Sequence, residues 1–178
     1  EFMRDFPEEE HQESLNVIIS ESQRLARLVS DVLDSSRLSA GVEEMRRGKY
    51  DFAASLAALV NSYRLLIEPG GYRIDLHQDG PAIVYADEQR MEQVAGNLLN
   101  NALAHVGADK LIIVNQYRRG KSLRVEIIDH GPGIAPEELA NIWRRYYRTD
   151  APARGIQGSG LGLSIVRGIL ERHQAAYG

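Results

Sequence analysis

Two asparagines spaced four residues apart form the first of three candidate ligand-binding segments in the sequence. Asn97 and Asn101 lie within residues 96–102, where the apolar pattern is helical, so both amides share one helix face. Leu98 and Leu99 mark the buried side, which leaves the amides facing solvent or a cavity. A carboxamide oxygen is a neutral ligand that Mg²⁺ accepts together with water and phosphate oxygens. Taken alone, the pair is also explained by a solvated helix face.

An acidic residue followed by two glycines forms the second candidate. Residues 129–134 read Asp-His-Gly-Pro-Gly-Ile and follow a predicted strand at residues 123–128. The Asp129 carboxylate can accept a hydrogen bond from a ligand amine, and Gly131 and Gly133 let a flat ring approach the backbone. A tight turn that begins with aspartate explains the same residues equally well.

The third candidate is a glycine-rich segment before the last predicted helix. Residues 155–163 read Gly-Ile-Gln-Gly-Ser-Gly-Leu-Gly-Leu. Backbone N–H groups at a helix N-terminus, together with the positive end of the helix dipole, can hold phosphate. A dinucleotide site would need a strand directly before these glycines. Residues 145–152 form a charged, strand-poor stretch, so the dinucleotide interpretation is disfavoured.

Composition narrows the class of protein. The chain has 178 residues, of which 43% are hydrophobic and 26% charged, as in an ordinary globular protein. Its net charge of -4 argues against a nucleic-acid partner. No apolar run approaches the roughly 20 residues of a membrane-spanning helix, so we expect no membrane contact within this sequence. With no cysteine, disulfides, thiolate metal sites and cysteine nucleophiles are excluded.

The elements that must position these candidates begin with a linker followed by one long helix, together at about residues 6–40. Its apolar residues recur at helical spacing and include Leu15, Ile18, Leu25, Val29 and Val32. Such a wide stripe needs a cover, which predicts association with another chain in a helical bundle. Gly41 is expected to end the helix.

An irregular alternation of strands and helices follows Gly41. Asp51 and Asp87 are expected to cap helices at residues 52–66 and 88–104. Further helices are expected near residues 136–147 and 160–173, and strands at residues 48–52, 72–77, 82–85, 111–116 and 123–128. The last two strands form a hairpin through the turn at residues 118–121. The order predicts an α+β domain with one mixed sheet.

In sequence, the candidate segments resemble the motifs of the sensor histidine kinases, which belong to the Bergerat-type (GHKL) ATPases. Residues 97–102 resemble the N box, residues 129–134 the first glycine box, and residues 158–166 the second. Residues 143–148 resemble the F box, with Trp and Tyr where Phe is usual. Residues 24–38 resemble the second helix of the dimerisation and phosphotransfer hairpin.

The resemblance implies a fold and a division of the chain. The fold is a two-layer α/β sandwich with a mixed sheet and helices on one face, preceded by one long helix. Residues 1–41 would be a partial dimerisation and phosphotransfer region, and residues 42–178 an ATP-binding catalytic domain without its final strands. The family's phosphoacceptor motif, His-acidic-Leu-Arg-Thr-Pro, is not found, and His11 is interpreted as a surface residue. We therefore expect ATP binding without autophosphorylation in this fragment.

The resemblance also implies roles around the phosphates. Asn101 would bind Mg²⁺. Asn97 is the catalytic candidate, because it stands where related ATPases keep a glutamate, and it would align phosphates or metal. His105 would reach the phosphates. The second glycine box would wrap them through Gly158, Ser159, Gly160, Leu161 and Gly162.

Roles at the base and at the lid follow from the same resemblance. Asp129 would accept a hydrogen bond from the adenine amino group, and Gly131, Gly133 and Ile134 would close the adenine pocket. Tyr147 and Arg148 would bind the nucleotide where a mobile lid, residues 148–157, begins.

The function that the resemblance implies is that of the cytoplasmic catalytic portion of a sensor histidine kinase. It would bind Mg-ATP and donate the γ-phosphate to a histidine on a helix absent from this sequence, for transfer to the receiver domain of a response regulator. The long helix would make the full-length protein a homodimer. One alternative is a degenerate kinase, a nucleotide-dependent interaction module without phosphotransfer. Another is an ATPase that only hydrolyses ATP, which Asn97 in place of glutamate disfavours.

Overall fold

The computed structural model describes residues 8–40, 44–148 and 159–178. The helices are α1 (Glu8–Ala40), α2 (Phe52–Ile67), α3 (Glu88–His105) and α4 (Gly162–Arg172). The strands are β1 (Gly48–Asp51), β2 (Arg73–Gln78), β3 (Ile83–Ala86), β4 (Leu111–Arg119) and β5 (Ser122–Asp129). Most predicted elements lie within a few residues of these bounds.

The strands form two sheets. Strand β4 is central in a mixed three-stranded sheet, where it pairs parallel with β2 and antiparallel with β5. Strands β1 and β3 form a separate antiparallel pair. The mixed sheet was predicted correctly, but the expectation that it holds every strand was wrong. The chain turns away after β2 at Gly80, whose φ of 116° is favourable for glycine, and the four-residue β3 pairs with β1 instead.

Helices α2 and α3 cover one face of the three-stranded sheet. The core between these layers is fully or almost fully buried and comprises Leu56, Val60, Ile74, Leu99, Ile112 and Val114, with small residues of α3. Burying one such side chain contributes about 1.5–3 kcal/mol, so this core fixes α3 against the sheet. The predicted two-layer α/β arrangement is confirmed.

A second apolar cluster attaches α4 to α3. It contains Val94 of α3 and buried residues in or next to α4, against which Trp143 packs: Leu161, Ile165, Val166 and Ile169. Because Leu161 is 1% exposed, the end of the glycine-rich segment is anchored in the core.

Two aspartates cap helices as predicted. The Asp51 carboxylate accepts hydrogen bonds from the N–H of Ala53 at 3.0 Å and of Ala82 at 2.9 Å. The Asp87 carboxylate accepts from the N–H of Arg90 at 3.2 Å. Each cap satisfies an N–H that the helix leaves unpaired, which is worth about 1 kcal/mol.

The predicted helix at residues 136–147 is wrong, because this segment is a succession of turns. Its hydrogen bonds mostly join residues three apart, as between the N–H of Glu138 and the carbonyl of Ala135 at 2.9 Å. Tyr146 has a positive φ of 59°, which interrupts helical geometry. Packing of Trp143 into the second cluster takes precedence over the local helical pattern.

Helix α1 leaves much of its apolar stripe exposed within this chain. Leu25 is 60% exposed and Val29 59% exposed, while other residues of the helix contact α4. The predicted helix stop, Gly41, lies outside the described residues. Among the helices that the structure describes, none combines the length and apolar character needed to cross a bilayer.

Candidate functional site

The end of α3 lies in backbone contact with the loop after β5. An ideal Cβ on Gly131 would be 2.1 Å from the carbonyl oxygen of His105. A Cβ on Gly107 would be equally close to the carbonyl oxygen of His130. Only glycine fits at these two positions, and the contact fixes α3 against the strand end.

A cavity of about 360 Å³ opens at this contact. Its lining consists of residues from the end of α3 and from the loop: Ala104, His105, Val106, Gly107, His130, Gly131 and Pro132. Its volume falls within the range of small-molecule sites, about 300–1,000 Å³. His105, which the resemblance places at the phosphates, and Gly131, which it places at the adenine, therefore line the same cavity.

Asp129 ends β5 beside this cavity. Its Oδ1 accepts a hydrogen bond from the N–H of Gly131 at 2.9 Å, which holds the turn in place. The side chain belongs to a half-buried residue, and its Oδ2 is the oxygen with which a ligand amine could bond. Gly133 and Ile134 are exposed, the latter at 41%, so the described structure does not pack them into the cavity wall.

Asn97 lies one helical turn before Asn101 and faces the start of α4. A Cβ on Gly162 would be 3.9 Å from Cγ and Oδ1 of Asn97. The Nδ2 of Asn97 is buried and has no hydrogen-bond partner in the described part of the chain. A buried donor without a partner costs free energy, and a bound anion would remove that cost. Asn101 is half-buried, in contrast with its exposed neighbour Asn100.

Gly160 joins the glycine-rich segment to the turns before it. Its φ of +69° lies in the left-handed region, and a Cβ there would be 3.0 Å from Cα of Tyr146. The N–H of Tyr146 donates to the Gly160 carbonyl at 2.9 Å. The Tyr147 hydroxyl donates to Glu138 at 3.3 Å, and Arg148 is exposed. Gly158 and residues 149–157 of the predicted lid lie outside the described residues.

Helix α3 thus connects two groups of predicted residues. Its middle places Asn97 near Gly162, and its end places His105 against Gly131. Gly107 and the backbone of Tyr146 were not predicted to contribute to the site, although a glycine just beyond a helix end allows close backbone approach. The contact between Tyr146 and Gly160 could not be predicted from neighbouring residues, because the two are fourteen positions apart in the sequence.

One side-chain hydrogen bond stiffens the loop. The Nδ1 of His130 lies 2.5 Å from Oδ2 of Asp109, and this hydrogen bond holds the pKa of the Asp109 carboxyl below its usual value. Among the described residues, no three His, Asp or Glu side chains converge on a position for a metal ion. The Asn101 amide oxygen suits Mg²⁺ when phosphate and water supply the other ligands.

A larger cavity, of about 500 Å³, lies at the opposite end of α3. It is polar and is lined by Glu44, Arg46, Asp87, Gln89 and Arg90. None of the predicted site residues lies in it.

Comparison with family models decides the classification. Residues 86–177, more than half of the chain, match the family described as histidine kinase-, DNA gyrase B-, and HSP90-like ATPase. The chain belongs to this ATPase family. Residues 1–41 match the His Kinase A (phospho-acceptor) domain, so the histidine kinase branch is the relevant one.

Curated relatives are sensor proteins. The chain is 34% identical to Sensor protein SphS of Synechococcus elongatus over 98% of its own length and 44% of the relative's. It is 34% identical to Sensor protein SrrB of Staphylococcus aureus over 93% of its length and 28% of the relative's. The chain therefore spans less than half the length of these relatives.

Solved histidine kinase structures share the fold. Full-length ShkA in complex with AMPPNP is 26% identical and superposes with a TM-score of 0.76 over 91% of this chain and 34% of its own. Acinetobacter baumannii AdeS is 23% identical with a TM-score of 0.71, over 93% of this chain and 75% of its own, a likeness of fold alone. The histidine kinase ATPase domain thus has the expected fold and family.

Proposed function

We propose that this histidine kinase ATPase domain binds Mg-ATP along α3 and donates the γ-phosphate to a histidine on another helix of the protein. The observation that carries the proposal is the position of α3. Its middle lies against Gly162 and its end lies against Gly131, so one rigid helix faces both the phosphate and the adenine candidates. The corresponding ShkA structure contains AMPPNP, a non-hydrolysable ATP analogue.

The adenine is assigned to the cavity of about 360 Å³. Asp129 is half-buried beside this cavity, and its carboxylate would accept a hydrogen bond from the exocyclic amine. The close contact of Gly131 with His105 leaves no room for a side chain at Gly131.

The phosphates are assigned to the middle of α3. The buried, unpaired Nδ2 of Asn97 would donate to a phosphate oxygen, and the N–H groups at the start of α4 would do the same. Asn101 would hold Mg²⁺, and the ion would neutralise part of the negative charge on the phosphates. Phosphoryl transfer depends mainly on positioning and charge neutralisation, which suits a site with amides and glycines.

Partners of the complete protein follow from the same proposal. The exposed apolar stripe of α1, with Leu25 and Val29, would form a homodimer. A response-regulator receiver domain would accept the phosphoryl group. The solved complex of histidine kinase ThkA with response regulator TrrA is a fold neighbour of this chain. We place this portion of the protein in the cytoplasm, with residues 1–41 and 42–178 as its two regions.

Calorimetry with ATP, with and without Mg²⁺, tests the binding site. Asn101→Ala should weaken Mg-ATP binding at least tenfold and leave the melting temperature unchanged, because Asn101 is half-buried and belongs to neither apolar cluster. Asn100→Ala is the matched control, since Asn100 is its exposed neighbour on the same helix. Equal affinities for Asn101→Ala and the wild type would contradict the assignment.

Phosphoryl transfer is tested on the complete protein with γ-labelled ATP. Label on histidine supports the proposal. Mg-ATP binding with no label on histidine would instead favour the interaction module. In that case nucleotide binding would change the association of α1 without phosphoryl transfer. The exposed apolar stripe of α1 is the observation that supports this second candidate function.

A further inference from the structure

Helix α1 is bonded to the ATPase domain at two acidic residues. The Ser159 hydroxyl donates to Oδ2 of Asp31 at 2.9 Å. One turn later, Oδ1 of Asp34 lies 3.3 Å from Nη1 of Arg90, and its Oδ2 accepts from Nε2 of Gln93 at 2.7 Å. We call Asp31 and Asp34 the acidic clamp.

The clamp is partly shielded from water. The side chains of Asp34 and Arg90 are each 16% exposed, and the neighbouring Ser35 is buried. The Ser35 carbonyl accepts a hydrogen bond from Nη2 of Arg145 at 3.4 Å. Charge pairs with this little exposure are screened less by salt than pairs on an open surface.

The clamp residues bond to the glycine-rich segment and to the part of α3 that precedes Asn97. Arg90, Gln93 and Asn97 are spaced three and four residues apart, so they share one stripe of α3. Ser159 lies in the glycine-rich segment, where its Oγ also accepts from the N–H of Leu161 at 3.2 Å. The clamp therefore bonds to Ser159 of the proposed phosphate site and to the stripe of α3 that continues to Asn97.

We propose that the acidic clamp inhibits nucleotide binding, so that docking of α1 and binding of Mg-ATP oppose each other. This inference rests on the proposed function. Asp31 engages the hydroxyl of Ser159 and places a carboxylate at the phosphate cradle, where it repels the phosphates of ATP. Because coupling between two equilibria is reciprocal, Mg-ATP should weaken docking of α1 as much as docking weakens Mg-ATP binding.

Mg-ATP affinity of the full chain tests the repulsion. Asp31→Asn removes the charge and keeps a hydrogen-bond acceptor, and it should tighten Mg-ATP binding by about fivefold or more, the usual lower range of such coupling. Raising the salt concentration should reduce this difference. Asp75→Asn, the same charge change on β2, should leave the affinity unchanged.

A fluorescence measurement follows α1 directly. The chain has one tryptophan, Trp143, and no cysteine. A quencher on Ser36→Cys, an exposed position beside the residue that contacts Arg145, should quench Trp143 when α1 is docked. Mg-ATP should relieve the quenching relative to unlabelled protein, and Asp31→Asn should relieve part of it without nucleotide.

The outcomes separate the two proposals. Wild-type protein that binds Mg-ATP, together with an Asp31→Asn variant of equal or weaker affinity, would overturn the clamp and leave the proposed function standing. Binding by Asp31→Asn but not by the wild type would support the clamp. If neither binds Mg-ATP, both the clamp and the proposed function are wrong.

Discussion

Replacement of Gly131 by alanine tests the contact that joins α3 to the Asp129 loop. The added Cβ would lie 2.1 Å from the His105 carbonyl oxygen and 2.7 Å from Oδ1 of Asp129. Ordinary van der Waals contact begins at 3.4 Å, so the first distance is too short by about 1.3 Å. The obstructing atom belongs to the backbone and cannot rotate away, so the loop or the helix end must move.

The cost of this movement can be bounded. Overpacking costs about 1–3 kcal/mol, and we expect the upper end because backbone must shift. At about 2–4 °C per kcal/mol for a chain of this length, the melting temperature should fall by about 6–12 °C. Mg-ATP affinity should fall at least tenfold, since a displaced loop alters the adenine cavity.

Gly133→Ala is the matched control. Gly133 lies in the same loop with a φ of +74°, but nothing approaches its Cβ position within 4 Å. This variant carries only the left-handed backbone cost, about 1–2 kcal/mol. Thermal denaturation by circular dichroism and by Trp143 fluorescence gives the comparison. If Gly131→Ala were as stable as the wild type, or no worse than Gly133→Ala, the close contact would be refuted.

Three further variants test separate parts of the structure. Asp129→Asn should reduce the preference for ATP over GTP in competition binding, and an unchanged preference would contradict the adenine role. The hydrogen bond from His130 lowers the pKa of Asp109, so its stabilisation exists above the ordinary carboxyl pKa of about 4 and disappears as pH falls through the lowered value. Urea unfolding should therefore separate wild type from Asp109→Asn at pH 6 and bring them together near pH 2; a constant gap would be inconsistent with this titration. Asp87→Ala should lower the free energy of unfolding by about 2 kcal/mol, because it removes a helix cap and a bond to the N–H of Arg46 at 2.8 Å; equal urea midpoints would contradict it.

Much of the fold could be predicted from interactions between residues that are close in the sequence. Asp51 and Asp87 precede apolar periodic segments, and each accepts a bond from the first turn of its helix. The hairpin was recognised from two strands around a glycine turn, and Gly120 has the positive φ of 62° that such a turn favours. These features depend on residues a few positions apart.

Features that depend on distant residues were not predictable in the same way. The turns at residues 136–147 replace a helix because Trp143 packs into a cluster built mainly from α4. The hydrogen bond between Asp31 and Ser159 joins residues 128 positions apart, and no periodic pattern in the sequence predicts it. The glycines of the site were recognisable as a set, but the reason for Gly131, a carbonyl from α3, required the tertiary structure.

The most direct test of the account is amide and side-chain NMR mapping of the full chain during titration with Mg-AMPPNP. Shift changes are expected together at Asn101, Gly131 and Gly162, because one nucleotide would contact both the middle and the end of α3. Changes confined to the cavity around Arg46 and Asp87, at the opposite end of α3, would contradict it.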